Sequence, residues 1–266
     1  AEHFFDGYDA NPEFSLAVLE GAAMAGADCL VLCDTNGGSL PGRVEATVSA
    51  VVAHLDTPVG VHLHNDTGCG IANALAGVAG GATHVQGTIN GYGERVGNCD
   101  LVPIIANLSL KMGVETLPEG RLAHLTSVAH HVAELVNFAA NPQQPYVGTK
   151  AFAHKAGLHA SAIARRSDAY EHVSPELVGN GTRFVVSEMA GKSTIALKAT
   201  ELGLDLDAAT MGDIVETLKE LEYVGYHFEA ADASLELLMR AAAGWEQDYF
   251  RLDSFSVNVG HRSGGG

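Results

Sequence analysis

The sequence predicts an α/β fold in which half of a (β/α)8 barrel is followed by mostly helical segments. In the first third of the chain, short apolar runs alternate with polar, glycine-containing loops and alanine-rich helical stretches, the pattern of parallel βα units. Polar side chains fall at or just after the end of each run, and the strand ends of a barrel converge on one mouth. After Gly113 this alternation stops and helical periodicity dominates.

The apolar runs of the first third are predicted to be strands, over residues 1–5, 29–35, 59–66 and 83–90. Helices with recognisable end signals are predicted between them, opening at Asn11-Pro12 and at Ser39-Pro41 and then spanning about 71–79 and 98–112. Four such units also fit an open doubly wound sheet. The polar residues at the strand ends favour the barrel; they are Glu2, Asp34, Thr35, His62, His64, Gln86, Thr88 and Asn90.

The remainder of the chain is predicted to be helical. Helical periodicity covers residues 121–140, 187–202, 208–222 and 231–242. The last stretch, DYFRLDSFSVNVG (248–260), alternates like the first strand of another domain.

The chain is acidic, with 32 Asp and Glu against 15 Lys and Arg and a formal net charge of −17. This charge argues against nonspecific binding to nucleic acid or to anionic lipid. No apolar stretch approaches the length of a membrane span, the first residues show no signal sequence, and the four cysteines form no CxxC pair. We expect a cytoplasmic protein with reduced thiols and with neither nucleic-acid nor membrane partners.

Two histidines stand one residue apart in VHLHND (61–66). Residues i and i+2 of a strand point to the same face, so His62 and His64 are predicted to project together at the barrel mouth. Two converging neutral imidazoles are good ligands for a divalent metal. The alternative for an isolated HxH is a pair of hydrogen-bonded histidines that line a strand end.

A glycine-rich loop, QGTINGYGERVGN (86–98), follows the next predicted strand. Its glycines do not match the GxGxxG spacing of a dinucleotide site. They allow the backbone to pass close to a ligand, which places Glu94, Arg95 and Asn98 at the mouth. Glu94 and Arg95 either bind a ligand there or only brace the loop.

Several motifs in order resemble one enzyme family. HLHND (62–66), QGTINGYGERVGN (86–98) and AHKAGLHASAI (153–163) resemble the acyltransferase branch of the metal-dependent DRE TIM barrels, which holds 2-isopropylmalate, homocitrate and citramalate synthases. EHFFDGY, LCDTNGG and GYHFEAADASLELL are most similar to the citramalate synthase group. The resemblance covers essentially all 266 residues.

The resemblance implies a domain order. Residues 1–147 would be the C-terminal half of the TIM-barrel catalytic domain, 148–246 helical linker subdomains, and 247–266 the start of a truncated C-terminal regulatory domain. The family's opening Arg-Asp-Gly strand is absent, and with it an aspartate metal ligand and an arginine that steadies the developing oxyanion. We therefore expect this chain alone to be inactive.

The resemblance also assigns site residues. His62 and His64 match the metal ligands, with Asn98 at or just outside the coordination sphere of Mn, Mg, Zn or Co. Thr35 matches the threonine that binds the keto acid carboxylate. The residues that match catalytic positions are Glu2, His159 and Tyr170, of which the last two are contributed to the neighbouring subunit's barrel.

The activity so implied is a Claisen-type condensation of acetyl-CoA, as co-substrate, with a 2-oxo acid in a homodimer. The group resemblance implies pyruvate as acceptor and (R)-citramalate as product, on the way to isoleucine. Glu94 and Arg95 of the glycine-rich loop are candidate substrate-binding residues. The runner-up is 2-isopropylmalate synthase, which acts on 2-oxoisovalerate for leucine. A zinc hydrolase on the same barrel and a noncatalytic fragment are the alternatives from other classes.

Overall fold

The computed structural model describes residues 1–154, 166, 168, 170–184, 191–228, 231–245 and 253–257. The chain divides into two compact units, one of residues 1–153 and 166–183 and one of residues 154–165 and 184–266. The domain boundaries predicted at 147 and 246 stay predictions.

The first unit is built on a parallel three-stranded sheet. Its strands are β1 (Leu30–Asp34), β2 (Val59–Leu63) and β3 (His84–Gln86), and they pair in the order β1-β2-β3. Each neighbouring pair is connected through a helix, and strands that pair in chain order through such crossovers are the arrangement of a (β/α) barrel. The fold is therefore part of a barrel, followed by a helical part, as the sequence predicts.

Helices cover the outer face of this sheet. Leu32, Val61 and Leu63 are fully buried on the sheet, and the apolar stripe of the following helix, Val44, Val48 and Val51, is buried with them. The helices of this unit are α1 (Phe4–Ala10), α2 (Pro12–Met24), α3 (Pro41–His54), α4 (Gly70–Ala79), α5 (Leu101–Lys111) and α6 (Leu125–Leu135), with 3₁₀ turns at Ile89–Gly91, Arg121–His124 and Pro175–Val178.

The prediction of a strand over residues 1–5 is wrong. Ala1 alone pairs in a strand-like way, since its backbone N donates to Val31 O (2.6 Å) and its carbonyl accepts from Cys33 N (3.1 Å). His3 then has a left-handed φ of 51°, and α1 begins at Phe4. A helix buries both Phe4 and Phe5 in the core, whereas the alternation of a strand would point them to opposite faces. Tertiary packing overrides the β propensity of the aromatic pair.

Two other predicted elements are shorter than expected. The strand of residues 83–90 keeps only His84–Gln86, because the chain enters a 3₁₀ turn in which Asn90 has a φ of 64°. The helix of residues 121–140 starts as a 3₁₀ turn and ends at Leu135, shortly before Asn137 turns left-handed with a φ of 55°. Residues 253–257 have no regular structure.

The second unit is helical among its described residues. Its helices are α7 (Lys192–Glu201), α8 (Ala208–Tyr223) and α9 (Asp232–Ala242), close to the predicted bounds. Their buried faces form a separate core that includes Ile195, Ile214, Leu218, Leu235 and Met239. Two short strands, β4 (Ala153–His154) and β5 (Arg183–Phe184), form a two-stranded sheet. Across the described part of the chain, every helix is too short or too polar to cross a membrane.

Candidate active site

His62 and His64 project from the same side of β2, with ring centroids 5.4 Å apart. Leu63 between them is fully buried on the opposite, helix-covered side. Strand pairing places Cys33, His62 and Gln86 in one row across the three strands, so their side chains share that face. The common direction of the two imidazoles follows from the strand alternation read in the sequence.

Asn98 lies beside this histidine pair. It forms an isolated antiparallel bridge with His64, and its Nδ2 is 3.3 Å from His62 Nε2. The glycines of the loop make this approach possible. A Cβ on Gly93 would come within 2.0 Å of Asn98 Oδ1, and Gly97 has a φ of 99° that side chains rarely allow.

Gln86 binds the other nitrogen of the same ring, with Oε1 3.2 Å from His62 Nδ1. A tautomer with the proton on Nδ1 satisfies both contacts, because Nδ1–H donates to the Gln86 oxygen and the Nε2 lone pair accepts from Asn98. The lone pair of Nε2 is the electron pair with which a neutral imidazole binds a metal. Gln86 therefore sets the tautomer that metal ligation needs. Residues that hydrogen-bond to a metal-ligating histidine commonly have this role.

The residues of this site fit a divalent metal in part. His62 and His64 supply two imidazoles that face the same space, and His64 Nδ1 is buried without a hydrogen-bond partner. Within the described ranges, no cluster of three or more His, Cys, Asp or Glu side chains could hold an ion. The described donors are thus two imidazoles and the neighbouring amide of Asn98.

Thr35 and Glu2 form a second cluster just past β1. The Thr35 hydroxyl accepts from His3 N (2.8 Å) and donates to Glu2 Oε2 (2.8 Å). This hydrogen bond is the main reason that the pKa of Glu2 lies below its ordinary value, and the nearby His62 lowers it further. The Glu2 carboxylate is thus ionised and oriented near the histidine pair.

Arg95 and Asp66 form a bidentate ion pair at the mouth. Arg95 Nε donates to Asp66 Oδ1 (2.8 Å), and one terminal nitrogen donates to both Asp66 Oδ2 (2.9 Å) and the Thr35 carbonyl (2.9 Å). The hydrogen bonds of the pair lower the pKa of Asp66 and raise that of Arg95. Glu94 is exposed, with a carboxylate oxygen 3.9 Å from Arg95.

The two remaining predicted residues are Tyr170 and His159. Tyr170 is 49% exposed in the first unit and takes part in none of the contacts above. His159 lies outside the described residues. Their catalytic roles stay predictions.

In the sequence, Gln86 is a polar residue at a predicted strand end and Asp66 is the last residue of the VHLHND motif, and neither has a predicted role. The place of Gln86 in the βα repeat could have identified it as a neighbour of His62, since it lies on the next strand along the chain. For Asp66, spacing gave no signal, because its partner is 29 residues away in a loop.

Comparison with known proteins finds two families in succession along the chain. Residues 4–132 match the HMGL-like family, and residues 146–225 match the homocitrate synthase post-HMGL domain-like family.

Curated relatives match over nearly the whole chain. An (R)-citramalate synthase of Streptomyces coelicolor is 54% identical over 99% of this chain, and one of Aquifex aeolicus is 48% identical over 98% of it. A probable 2-isopropylmalate synthase of Methanosarcina mazei is 30% identical over 96% of the chain. In each case the match spans 50% of the relative, so the chain spans about half the length of these proteins. Among solved structures, an HMG-CoA lyase of Bacillus subtilis is 25% identical with a TM-score of 0.42 over 48% of this chain and 44% of that one.

Proposed function

We propose, because residues 4–132 match the HMGL-like family and residues 146–225 match the homocitrate synthase post-HMGL domain-like family, that the protein condenses acetyl-CoA with pyruvate to (R)-citramalate and CoA. The identities of 54% and 48% to (R)-citramalate synthases support pyruvate as the acceptor. The observation that carries the proposal is the convergence of His62, His64 and Asn98, with the Glu2–Thr35 hydrogen bond on the adjacent strand.

In this proposal His62 and His64 hold a divalent metal through imidazole nitrogen, with Asn98 beside it. A bound divalent metal would act as a Lewis acid on the 2-oxo acid and make its C2 carbon more electrophilic. The buried, unpartnered Nδ1 of His64 and the unprotonated Nε2 of His62, whose lone pair accepts only from Asn98 Nδ2 (3.3 Å) among the described contacts, are the features of the chain that suit such an ion.

The side chains near the metal position the substrates. The Thr35 hydroxyl binds the carboxylate of the 2-oxo acid, and the ionised Glu2 orients the reacting groups. His159, supplied with Tyr170 by a neighbouring subunit, removes a proton from the acetyl methyl group. The resulting carbanion attacks C2, the ketone oxygen takes up a proton to become the tertiary hydroxyl, and water cleaves the thioester to release CoA and the second carboxylate.

Three other assignments are weaker. A 2-isopropylmalate synthase would accept 2-oxoisovalerate, and the probable 2-isopropylmalate synthase of Methanosarcina mazei is 30% identical to this chain, against 54% for an (R)-citramalate synthase. A zinc hydrolase would use the histidine pair without acetyl-CoA. A noncatalytic fragment would release no CoA under any condition. Each alternative predicts a different response to the same assay.

The test is a thiol assay on the protein expressed from its complete reading frame, with Mn²⁺ and acetyl-CoA and either pyruvate or 2-oxoisovalerate. We expect CoA release with pyruvate that exceeds release with 2-oxoisovalerate, and the identity of the product is checked by chiral chromatography. Release only with 2-oxoisovalerate would reassign the acceptor. No release with any 2-oxo acid would overturn the proposal.

A further inference from the structure

We propose that Asp66 and Arg95 are positioning residues, which hold Thr35, and through it Glu2, against the histidine pair. This inference assigns to Arg95 an indirect role, where the glycine-rich loop pattern left ligand binding and bracing of the loop as alternatives. Its kinetic test rests on the proposed function, but its geometric basis does not.

One guanidinium joins the segments that follow the three strands of the parallel sheet. Arg95 comes from the loop after β3, Asp66 from the loop after β2, and the Thr35 carbonyl from the end of β1. The contact to Asp66 uses two parallel hydrogen bonds of 2.8 and 2.9 Å, the geometry that fixes a guanidinium most firmly. The third bond, of 2.9 Å, fixes the carbonyl of the residue whose hydroxyl orients Glu2.

The backbone is adapted to this arrangement. Arg95 has a φ of 58°, a left-handed conformation that is unfavourable for a residue with a Cβ and is retained where the surroundings enforce it. Gly37 also has a positive φ, of 64°, and a Cβ there would come within 2.3 Å of Asp66 Oδ2. Thr67 N donates to the Gly37 carbonyl (3.2 Å), so the β1 and β2 loops are tied next to the ion pair.

The charges of the pair also favour an indirect role. The Asp66 carboxylate neutralises the guanidinium through two hydrogen bonds, which leaves Arg95 a weaker partner for a substrate anion. Glu94, whose carboxylate is 3.9 Å away, adds further negative charge on the same side. An arginine that recognised a carboxylate or phosphate directly would be expected to keep its fork free for that ligand.

The kinetic test compares Arg95→Gln, Arg95→Lys, Asp66→Asn and the double variant Asp66→Asn/Arg95→Gln, all in the protein from its complete reading frame. The matched control is Arg240→Gln, which breaks an arginine–carboxylate pair with Glu236 in the second unit. Positioning predicts that Asp66→Asn and Arg95→Gln each lower kcat by about 10- to 100-fold, with the pyruvate KM changed less than about 3-fold.

Two further results distinguish positioning from direct binding. The double variant should be no slower than the slower single variant, because both changes remove the same brace. Arg95→Lys should not restore kcat, because an ammonium keeps the charge but cannot form the fork. If instead Arg95→Gln raises KM while Asp66→Asn leaves kcat unchanged, Arg95 binds substrate and the inference is overturned.

A measurement without turnover separates this inference from the proposed function. The His3 amide donates to the Thr35 hydroxyl, so its hydrogen exchange reports whether Thr35 is held in place. Exchange of His3 N–H should accelerate in Arg95→Gln and Asp66→Asn but not in Arg240→Gln, while the Phe14 amide, bonded to the Asn11 side chain, stays unchanged in all of them. Unaltered exchange at His3 would refute the positioning role of Asp66 and Arg95, even if the wild-type protein makes citramalate. Accelerated exchange in the variants of a protein that makes no citramalate would support the positioning role and refute the proposed function.

Discussion

His62 Nδ1 lies 3.2 Å from Gln86 Oε1, a contact across two neighbouring strands that directs the opposite ring nitrogen toward Asn98. The hydrogen bond fixes both the ring orientation and the tautomer of one of the two paired imidazoles. A metal-ligating histidine typically depends on such a partner.

Gln86→Leu should weaken Mn²⁺ binding by about 10- to 100-fold, because the His62 ring loses the acceptor that keeps the proton on Nδ1. Gln86→Glu should preserve binding, since a carboxylate accepts the same hydrogen bond more strongly. Calorimetric titration of the protein from its complete reading frame measures both variants. Equal affinity in Gln86→Leu and the wild type would show that the contact does not orient a ligand.

His64→Ala should weaken Mn²⁺ binding by more than the Gln86→Leu change does, because it deletes one of the two imidazoles that converge there among the described residues. His84→Ala is the matched control, since His84 is exposed on β3. The same titration tests both. A His64→Ala variant that binds Mn²⁺ like His84→Ala would refute the assignment of the pair as ligands.

Asp100 and Asp207, which cap α5 and α8 through their side chains, should give opposite pH dependences of stability. Burial raises the pKa of Asp100 above 3.8. The unfolded chain then ionises first as pH increases, so this carboxyl contributes less stability above 3.8 than below it. The pKa of Asp207 is lowered by hydrogen bonds to Thr210. Its contribution is present above 3.8 and is lost as pH falls through the depressed value.

Urea unfolding from pH 3 to pH 7 tests these two pH dependences. At each pH, the free energy of unfolding of the wild type is compared with that of the corresponding Asn variant. Relative to the wild type, Asp100→Asn should gain stability as pH rises through about 4, whereas Asp207→Asn should lose it. The Asn side chain keeps an acceptor for each cap. Asp100→Asn also removes the acceptor of the Gln144 Nε2 hydrogen bond (2.8 Å), so the pH dependence of stability, not its absolute value, is compared. If the stability difference from the wild type changed in the same direction with pH for both variants, the effect of burial on Asp100 would be contradicted.

The four cysteines should separate into two classes of reactivity. All are free; Cys33 and Cys99 are buried, whereas Cys29 and Cys69 are partly accessible. Burial raises the pKa of Cys99 to about 11 and raises that of Cys33, so few thiolates form at pH 8. Iodoacetamide followed by peptide mass spectrometry should find Cys29 and Cys69 alkylated first in the native protein. Equal alkylation of all four cysteines before unfolding would contradict the core described for the first unit.

Local patterns in the sequence determined the elements and their order. The i, i+2 alternation put His62 and His64 on one face, and the valines of α3 at helical spacing identified its buried side. These features depend on residues close together along the chain, where backbone geometry alone fixes direction. The same local reasoning failed at residues 1–5, because burial of Phe4 and Phe5 against the sheet outweighed their β propensity.

Only the tertiary structure decided which distant polar groups meet. Strand register brings Gln86 to His62, and the left-handed turn at Arg95 directs its guanidinium to Asp66 and to the Thr35 carbonyl. Spacing cannot encode such contacts, because pairing register and loop conformation are set by packing and hydrogen bonding summed over the whole unit. The sequence thus located the mouth of the barrel, and the fold determined how its side chains hold one another.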